Sequence, residues 1–325
     1  MRNHYHLTTL PAIFLMAFLS QQSVSAQQLR HVYYGTSASV SHLPVWVAKD
    51  AGLFAKGGLN VEPVQIRGGA LITVGIMSGQ LQFSGAGAES VIAARIEGGD
   101  VVLLACPTNL EPISLITRPE IKSPSELKGK SSAVTRLGSS THFYLRAALR
   151  YVGLDAEKDM TILQLGAGPE VAAALESGKI AAAALNIRYA IPFLQRNWPM
   201  LIDLTKTDLV YPSSCVTTSR AFVKSEPKTV DDFLRAYVEA IQLIKKDQGF
   251  AERSLVKWTR EKDVAVVTQS IESHRRILKL PPYVPDKGIE NVVNDLASRR
   301  KVPQEFIGRP ELFRDSGPLE RAVAR

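Results

Sequence analysis

The groups in this chain best suited to chemistry are hydroxyls, glycines and a few charged side chains, gathered where a β-rich run gives way to an amphipathic segment. Residues 37–42 and 136–142 each occupy such a junction. A helix that begins there turns unpaired N–H groups outward from its first turn, and hydroxyls beside them add further donors, a set suited to an oxyanion. In the first junction the candidates are Ser37, Ser41 and His42; in the second they are Gly138, Ser139, Ser140 and Thr141. Gly68 with Gly69, and Gly168, would let a ligand approach the backbone closely, while Gly85 and Ala86 stand at the opening of another helix. Asn186, after an apolar strand in the second half, is their counterpart there. Each Ser or Gly also has a simpler reading, as a helix cap or a turn.

Two charged residues sharpen the picture. Arg136, a guanidinium beside a helix start, suits a sulfonate, carboxylate or phosphate, its alternative being a surface arginine. Glu89 could take an amine or a ring nitrogen, or simply complement the dipole of the helical turn in which it lies. Catalytic patterns are missing: there is no His-Glu-x-x-His, no Gly-x-Ser-x-Gly elbow, no Walker loop and no metal-type Cys or His spacing. His42 and His142 could meet across a cleft, but capping or ligand contact accounts for both. The expectation is therefore a binding protein without catalytic residue, metal or cofactor.

Short strands alternate with amphipathic helices, which argues for α/β layers with mostly parallel sheets. Two stretches share one order. The run 31–36 leads through a loop to a helix with Leu43, Trp46 and Val47 at i, i+3 and i+4; the run 131–135 leads to one with Leu145, Ala148, Leu149 and Val152 on one face. In both halves a second strand then runs into glycines, a helix ending in Ser-Gly, and an apolar strand. Such a repeat predicts two similarly built lobes facing across a cleft. The expected division is residues 27–117 for the first part of lobe one, 118–215 for lobe two, and 216–325 for the return to lobe one and its bracing helices. The chain would cross in the β-rich runs 114–117 and 215–218, with Thr117 and Thr218 at the hinge.

A chain of 325 residues, 45% hydrophobic and 22% charged, can bury a core in each lobe and is neither disordered nor collagen-like. The formal charge of +8 is scattered; its one run, Arg299-Arg300-Lys301, lacks interleaved aromatics and reads as a solvated helix end, so no nucleic-acid partner is expected. Residues 1–26 read as a signal peptide: Arg2, an apolar stretch at 10–19, then Val24-Ser25-Ala26 before Gln27. Export to the periplasm with cleavage near Ala26 is expected, the stretch being too short to span a bilayer. Cys106 and Cys215 could form one bridge in an oxidising compartment or remain two buried thiols.

Several motifs also carry a family resemblance. Pro44-Val45-Trp46-Val47-Ala48-Lys49-Asp50-Ala51-Gly52-Leu53-Phe54, then Gly58-Leu59-Asn60-Val61-Glu62, resembles the opening of the nitrate/sulfonate/taurine-type solute-binding proteins of ABC importers. Ser78-Gly79-Gln80-Leu81-Gln82-Phe83, Glu126-Leu127-Lys128-Gly129-Lys130, Gly138-Ser139-Ser140 and Ser177-Gly178-Lys179-Ile180-Ala181-Ala182 extend the match to about residue 220. The resemblance implies the type II periplasmic-binding-protein fold, two α/β lobes joined by a two-strand hinge that closes on ligand. It places ligand loops at residues 37–42, 68–69, 85–88 and 138–141 and at Asn186. It further implies a monomer that serves a permease and an ATPase, and a small, anionic solute such as a sulfonate, a nitrate-like ion or a carboxylate. The alternative is an exported enzyme or sensor component that kept the fold, such as a pyrimidine-precursor synthase. That branch carries a Cys-rich motif, which this chain lacks.

Overall fold

Alternation of buried Val32 and Tyr34 with exposed His31 and Tyr33 sets one face of the first strand inward, and the rest of the first lobe is laid against it. The computed structural model describes Met1 and residues 28–324. The expected signal peptide beyond Met1, and its expected cleavage site, therefore lie outside the described residues. Lobe one opens with β1 (Arg30–Thr36), α1 (Leu43–Asp50), α2 (Leu53–Lys56), β2 (Leu59–Gln65), α3 (Gly69–Met77), β3 (Phe83–Ala86), α4 (Ala88–Ile96) and β4 (Val102–Ala105). Lobe two holds β5 (Ile113–Thr117), β6 (Ser131–Val134), α5 (Ser140–Tyr151), α6 (Ala156–Asp159), β7 (Thr161–Gln164), α7 (Gly168–Glu176), β8 (Ala182–Asn186), α8 (Ile187–Gln195) and β9 (Met200–Asp203). The chain returns through β10 (Cys215–Thr218) to α9 (Arg220–Ser225), α10 (Pro227–Lys246), α11 (Gln248–Thr259), α12 (Val264–Ile277), α13 (Asp286–Ala297) and α14 (Gly317–Val323).

The two sheets match strand for strand. Their orders are β2-β1-β3-β10-β4 and β7-β6-β8-β5-β9. The first three strands of each are parallel, and β10 and β5 are the antiparallel fourth. This is the repeat anticipated from sequence. It differs at the crossings, because Ile113–Thr117 pairs with β8 and β9 inside the second sheet, and Cys215–Thr218 pairs with β3 and β4 inside the first.

Every residue of β5 and of β10 is buried, as strands covered on both faces must be. An extended run of that kind looks the same in sequence whether it crosses between lobes or lies within one. Thr117 opposes Ala182 and Thr218 opposes Val102, each at the far end of its strand, so neither sits at the hinge. The crossings are the irregular segments 106–112 and 207–214, where the Tyr211 N–H donates to the Asn109 carbonyl at 2.7 Å. Cys106 and Cys215 are disulfide-bonded, which resolves the pairing left open above and ties the two crossings together at the first lobe.

Stacked Phe54, Phe83, Phe233 and Tyr34 fill the first lobe, with Phe83 and Phe233 centroids 4.0 Å apart. A separate core under α7 and α8 joins Val171, Leu175, Ile180 and Phe193. Between them Val91, Phe143, Tyr211 and Ile289 form a third core that runs beneath the crossings. Among the described residues no helix is long and apolar enough to cross a membrane.

Candidate functional site

The parallel strands of both lobes end toward each other, and between those ends lies a cavity of about 140 Å³. Parallel strands deliver the following helix with its N-terminus at the strand's carboxyl end, so the wall is built largely from helix starts. Gly68, Gly87, Ser139, Ala167 and Asn186, the N-cap residues of α3, α4, α5, α7 and α8, all line it. None of the five makes a side-chain cap. By contrast α6, α9, α11 and α12, which begin away from the cavity, are capped by Asp155, Ser219, Asp247 and Asp263. In α4 the first N–H groups are taken by the Pro212 carbonyl and the Tyr211 hydroxyl. The starts of α3, α5, α7 and α8 thus present donors and positive dipole ends to one enclosed space.

Beside these starts the loop after β1 folds into a 3-10 turn at Val40–His42. Nε2 of His42 accepts the Ser37 N–H at 3.1 Å and lies 3.0 Å from the Ser37 hydroxyl. Burial, with a smaller contribution from nearby His274, holds the pKa of His42 down at about 3, so it is a neutral ring. Ser139, Thr135 and Thr141 link their hydroxyls, Ser139 donating at 2.7 Å to the Arg136 carbonyl. The lobes are closed on one another. Arg188 and Tyr189 donate to the Ala38 carbonyl at 2.9 and 3.3 Å, Arg188 pairs with Glu261 at 3.1 Å, and Arg67 pairs with Glu170.

Of the residues anticipated from sequence, Ser37, Ser41, His42, Gly68, Gly69, Gly85, Ser139, Ser140, Thr141, Gly168 and Asn186 line the cavity. Four do not. Ala86 ends β3 fully buried, its methyl in the core with Ile72 and Val91. Glu89 is turned away and pairs with Arg146 at 2.9 Å and Arg299 at 3.1 Å. Arg136 lies along the backbone of Gly68, where a Cβ would come 3.0 Å from its Nε, so the missing side chain of Gly68 is what receives it. Gly138 makes the turn, at φ +74°, and donates its N–H to Nδ1 of His142. That contact keeps His142 off the wall, so it does not meet His42.

Sequence reasoning missed Gln65, Arg67, Glu111, Tyr144, Tyr189, Ser213 and Ser214 on the wall. The paired hydroxyls Ser213-Ser214, and an acid set in the apolar Leu110-Glu111-Pro112-Ile113, were the available signals. Among the described residues no cluster of three or more His, Cys, Asp or Glu is placed to hold a metal ion.

Two matched α/β lobes closed over a cavity of helix N-termini define a protein of the periplasmic-binding-protein fold, and comparison with solved structures agrees. A protein of Bordetella bronchiseptica RB50 superposes with TM-score 0.78 at 22% identity, over 91% of this chain and 98% of that one. The alkanesulfonate-binding protein SsuA from Xanthomonas axonopodis pv. citri, bound to MOPS, gives 0.71 at 20% identity over 87% and 98%. The periplasmic nitrate-binding protein NrtA from Synechocystis PCC 6803 gives 0.77 at 12% identity over 91% and 89%. No curated protein matches the chain by sequence. The family model described as NMT1/THI5 like matches residues 39–251, and the chain belongs to that family.

Proposed function

We propose that this chain is the solute-capturing component of an ABC importer. It works outside the cytoplasm, in the periplasm after cleavage near Ala26, and hands its cargo to a permease driven by an ATPase. The cargo is a small oxyanion-bearing solute, a sulfonate, a nitrate-like ion or a carboxylate, enclosed by closure of the lobes about residues 106–112 and 207–214. The observation that carries the reading is the set of four helix starts, α3, α5, α7 and α8, without side-chain caps on one enclosed wall. Backbone donors fixed in this way bind an oxyanion without needing a free cation. Among the described residues Arg67 is the only arginine or lysine on the cavity wall, and it is committed to Glu170. Family membership and the sulfonate- and nitrate-binding proteins that share the fold support the same reading.

The test is a thermal-shift panel of alkanesulfonates, nitrate, short carboxylates and uncharged pyrimidines on the mature chain. A true solute at one hundred times its dissociation constant adds about 2.7 kcal/mol to stability. Stabilisation by an oxyanion supports the reading. Stabilisation by uncharged compounds alone, by none, or turnover of a panel member contradicts it.

A further inference from the structure

Among the described residues four carboxylates are buried, Glu89, Glu111, Asp232 and Asp295, and three of them are ion-paired. Glu89 and Asp295 share Arg146 and Arg299, and Asp232 has Lys228 and Arg235. Glu111 stands in the first crossing, 5% exposed, on the cavity wall, and makes no ion pair among the described residues. An isolated buried carboxylate is costly, and the usual outcome is that it keeps its proton.

The hydrogen bonds around it are few and come from neutral hydroxyls. Oε1 accepts from the Ser213 hydroxyl and lies 3.4 Å from that of Ser214, which sits closer, at 2.7 Å, to Ser41. Among the described residues Oε2 has no hydrogen-bond partner within 3.5 Å, although the Ser41 hydroxyl also acts on the carboxyl, and Glu111 lines the cavity, so Oε2 is the oxygen left to carry a proton. Burial pushes the carboxyl above its ordinary range, and the serine hydroxyls offset this only in part. The titratable groups that face it from neighbouring elements do not supply a positive charge. Tyr144 on α5 and Tyr211 on the second crossing are buried phenols pushed upward by desolvation, and His42 on the first loop is neutral. A cationic solute would be disfavoured by the positive ends of the helices that start on the same wall, whereas an anion there would hold the proton on Glu111 more firmly.

We propose that Glu111 acts as a neutral carboxyl that donates a hydrogen bond from Oε2 to the captured oxyanion, so that capture requires Glu111 to hold a proton. This rests on the solute-capture reading and makes Glu111 its specificity residue: an anion can accept the proton's hydrogen bond, and a cation or a pure donor cannot.

Two measurements test it. The first needs no ligand: the infrared difference between wild type and Glu111→Gln at pH 7 is expected to show the carbonyl stretch of one neutral carboxyl, and its absence overturns the proposal. Should Glu111→Gln not fold, Glu111→Leu serves as the reference. The second titrates ethanesulfonate, nitrate and acetate into both proteins across pH. Affinity of the wild type for the stabilising probe is expected to fall about tenfold per pH unit once Glu111 ionises. Glu111→Gln, whose amide donates at every pH, is expected to bind with a flat profile. Identical profiles in the two proteins, or tighter binding by the wild type as pH rises, overturn the proposal. If none of the probes binds while the neutral-carboxyl band is present, solute capture fails and this role for the proton falls with it; binding without the band removes Glu111 alone.

Discussion

Closure can be tested at a place where a single methyl has nowhere to go. Gly87 precedes α4 in the first lobe with φ −78° and ψ 151°, a conformation alanine adopts without strain. A Cβ there would nonetheless fall 1.7 Å from Oγ of Ser140, 2.8 Å from the Tyr211 hydroxyl and 3.1 Å from Cβ of Ser140, at the start of α5 in the second lobe. Turning the Ser140 hydroxyl aside relieves only the first of these contacts. Overpacking of this kind costs about 1–3 kcal/mol. Opening the lobes removes the Ser140 contacts, so their share of the cost falls on the closed form and Gly87→Ala should weaken solute binding by roughly 5- to 150-fold. Isothermal titration with the strongest binder of the panel measures the loss, and the unliganded melting temperature should move little. In a Ser140→Gly background, which lacks both contacting atoms of Ser140, Gly87→Ala should weaken binding much less than it does in the wild type. Unchanged affinity in the single variant, or an equal loss in the Ser140→Gly background, would refute the steric argument and with it this picture of closure.

Other consequences concern the frame. Replacing Cys106 and Cys215 by serine, or reducing the bridge, releases a loop with a sequence separation of 109 and should cost about 2–5 kcal/mol in urea unfolding; equal stability with and without reductant would contradict it. Arg146→Met strips Glu89 and Asp295 of their most buried partner and should cost about 3–5 kcal/mol, with part of it recovered by Glu89→Leu in the same chain. His274 has both ring nitrogens buried without partners, and burial lowers its pKa to about 4. Below pH 6.5 the unfolded chain takes a proton that native His274 refuses, so stability falls with pH by up to about 1.4 kcal/mol per unit until about pH 4. His274→Met should be at least as stable at pH 7 and lose less on acidification to pH 5, and an unchanged acid slope would count against the assignment.

Much of the site was legible because it is local. A loop between a parallel strand and its helix must end at the cleft, so Ser37, Ser41, His42, Ser139, Ser140, Thr141 and Asn186 could be set at the cavity from pattern alone. The repeated order of strands and glycines likewise foretold two matched sheets. What the pattern could not carry was anything decided by a distant partner. Glu89 reads as a helix-dipole residue until Arg146 from α5 and Arg299, just past α13, pair with it, and Asp295 on α13 shares both arginines. Arg136 reads as an anion clamp because it sits at a helix start, yet its direction is set by the bare backbone of Gly68 in the other lobe. The crossings are hard to place from sequence because β5 and β10, buried on both faces, read as extended runs that could pass between lobes, while the crossings themselves are irregular, with Asn109, Glu111 and Ser213. Glu111 matters only once the second crossing and the first loop bring serines to it.

The proposed capture has helix starts from both lobes holding an oxyanion inside the closed cleft. Its most direct test is a crystal structure of the mature chain with the strongest panel binder. The account predicts the oxyanion in the cavity, with its oxygens about 3 Å from backbone N–H groups at the starts of α3, α5, α7 or α8. A ligand bound on an outer face, or one in the cleft whose charged end points away from those helix starts, would contradict it.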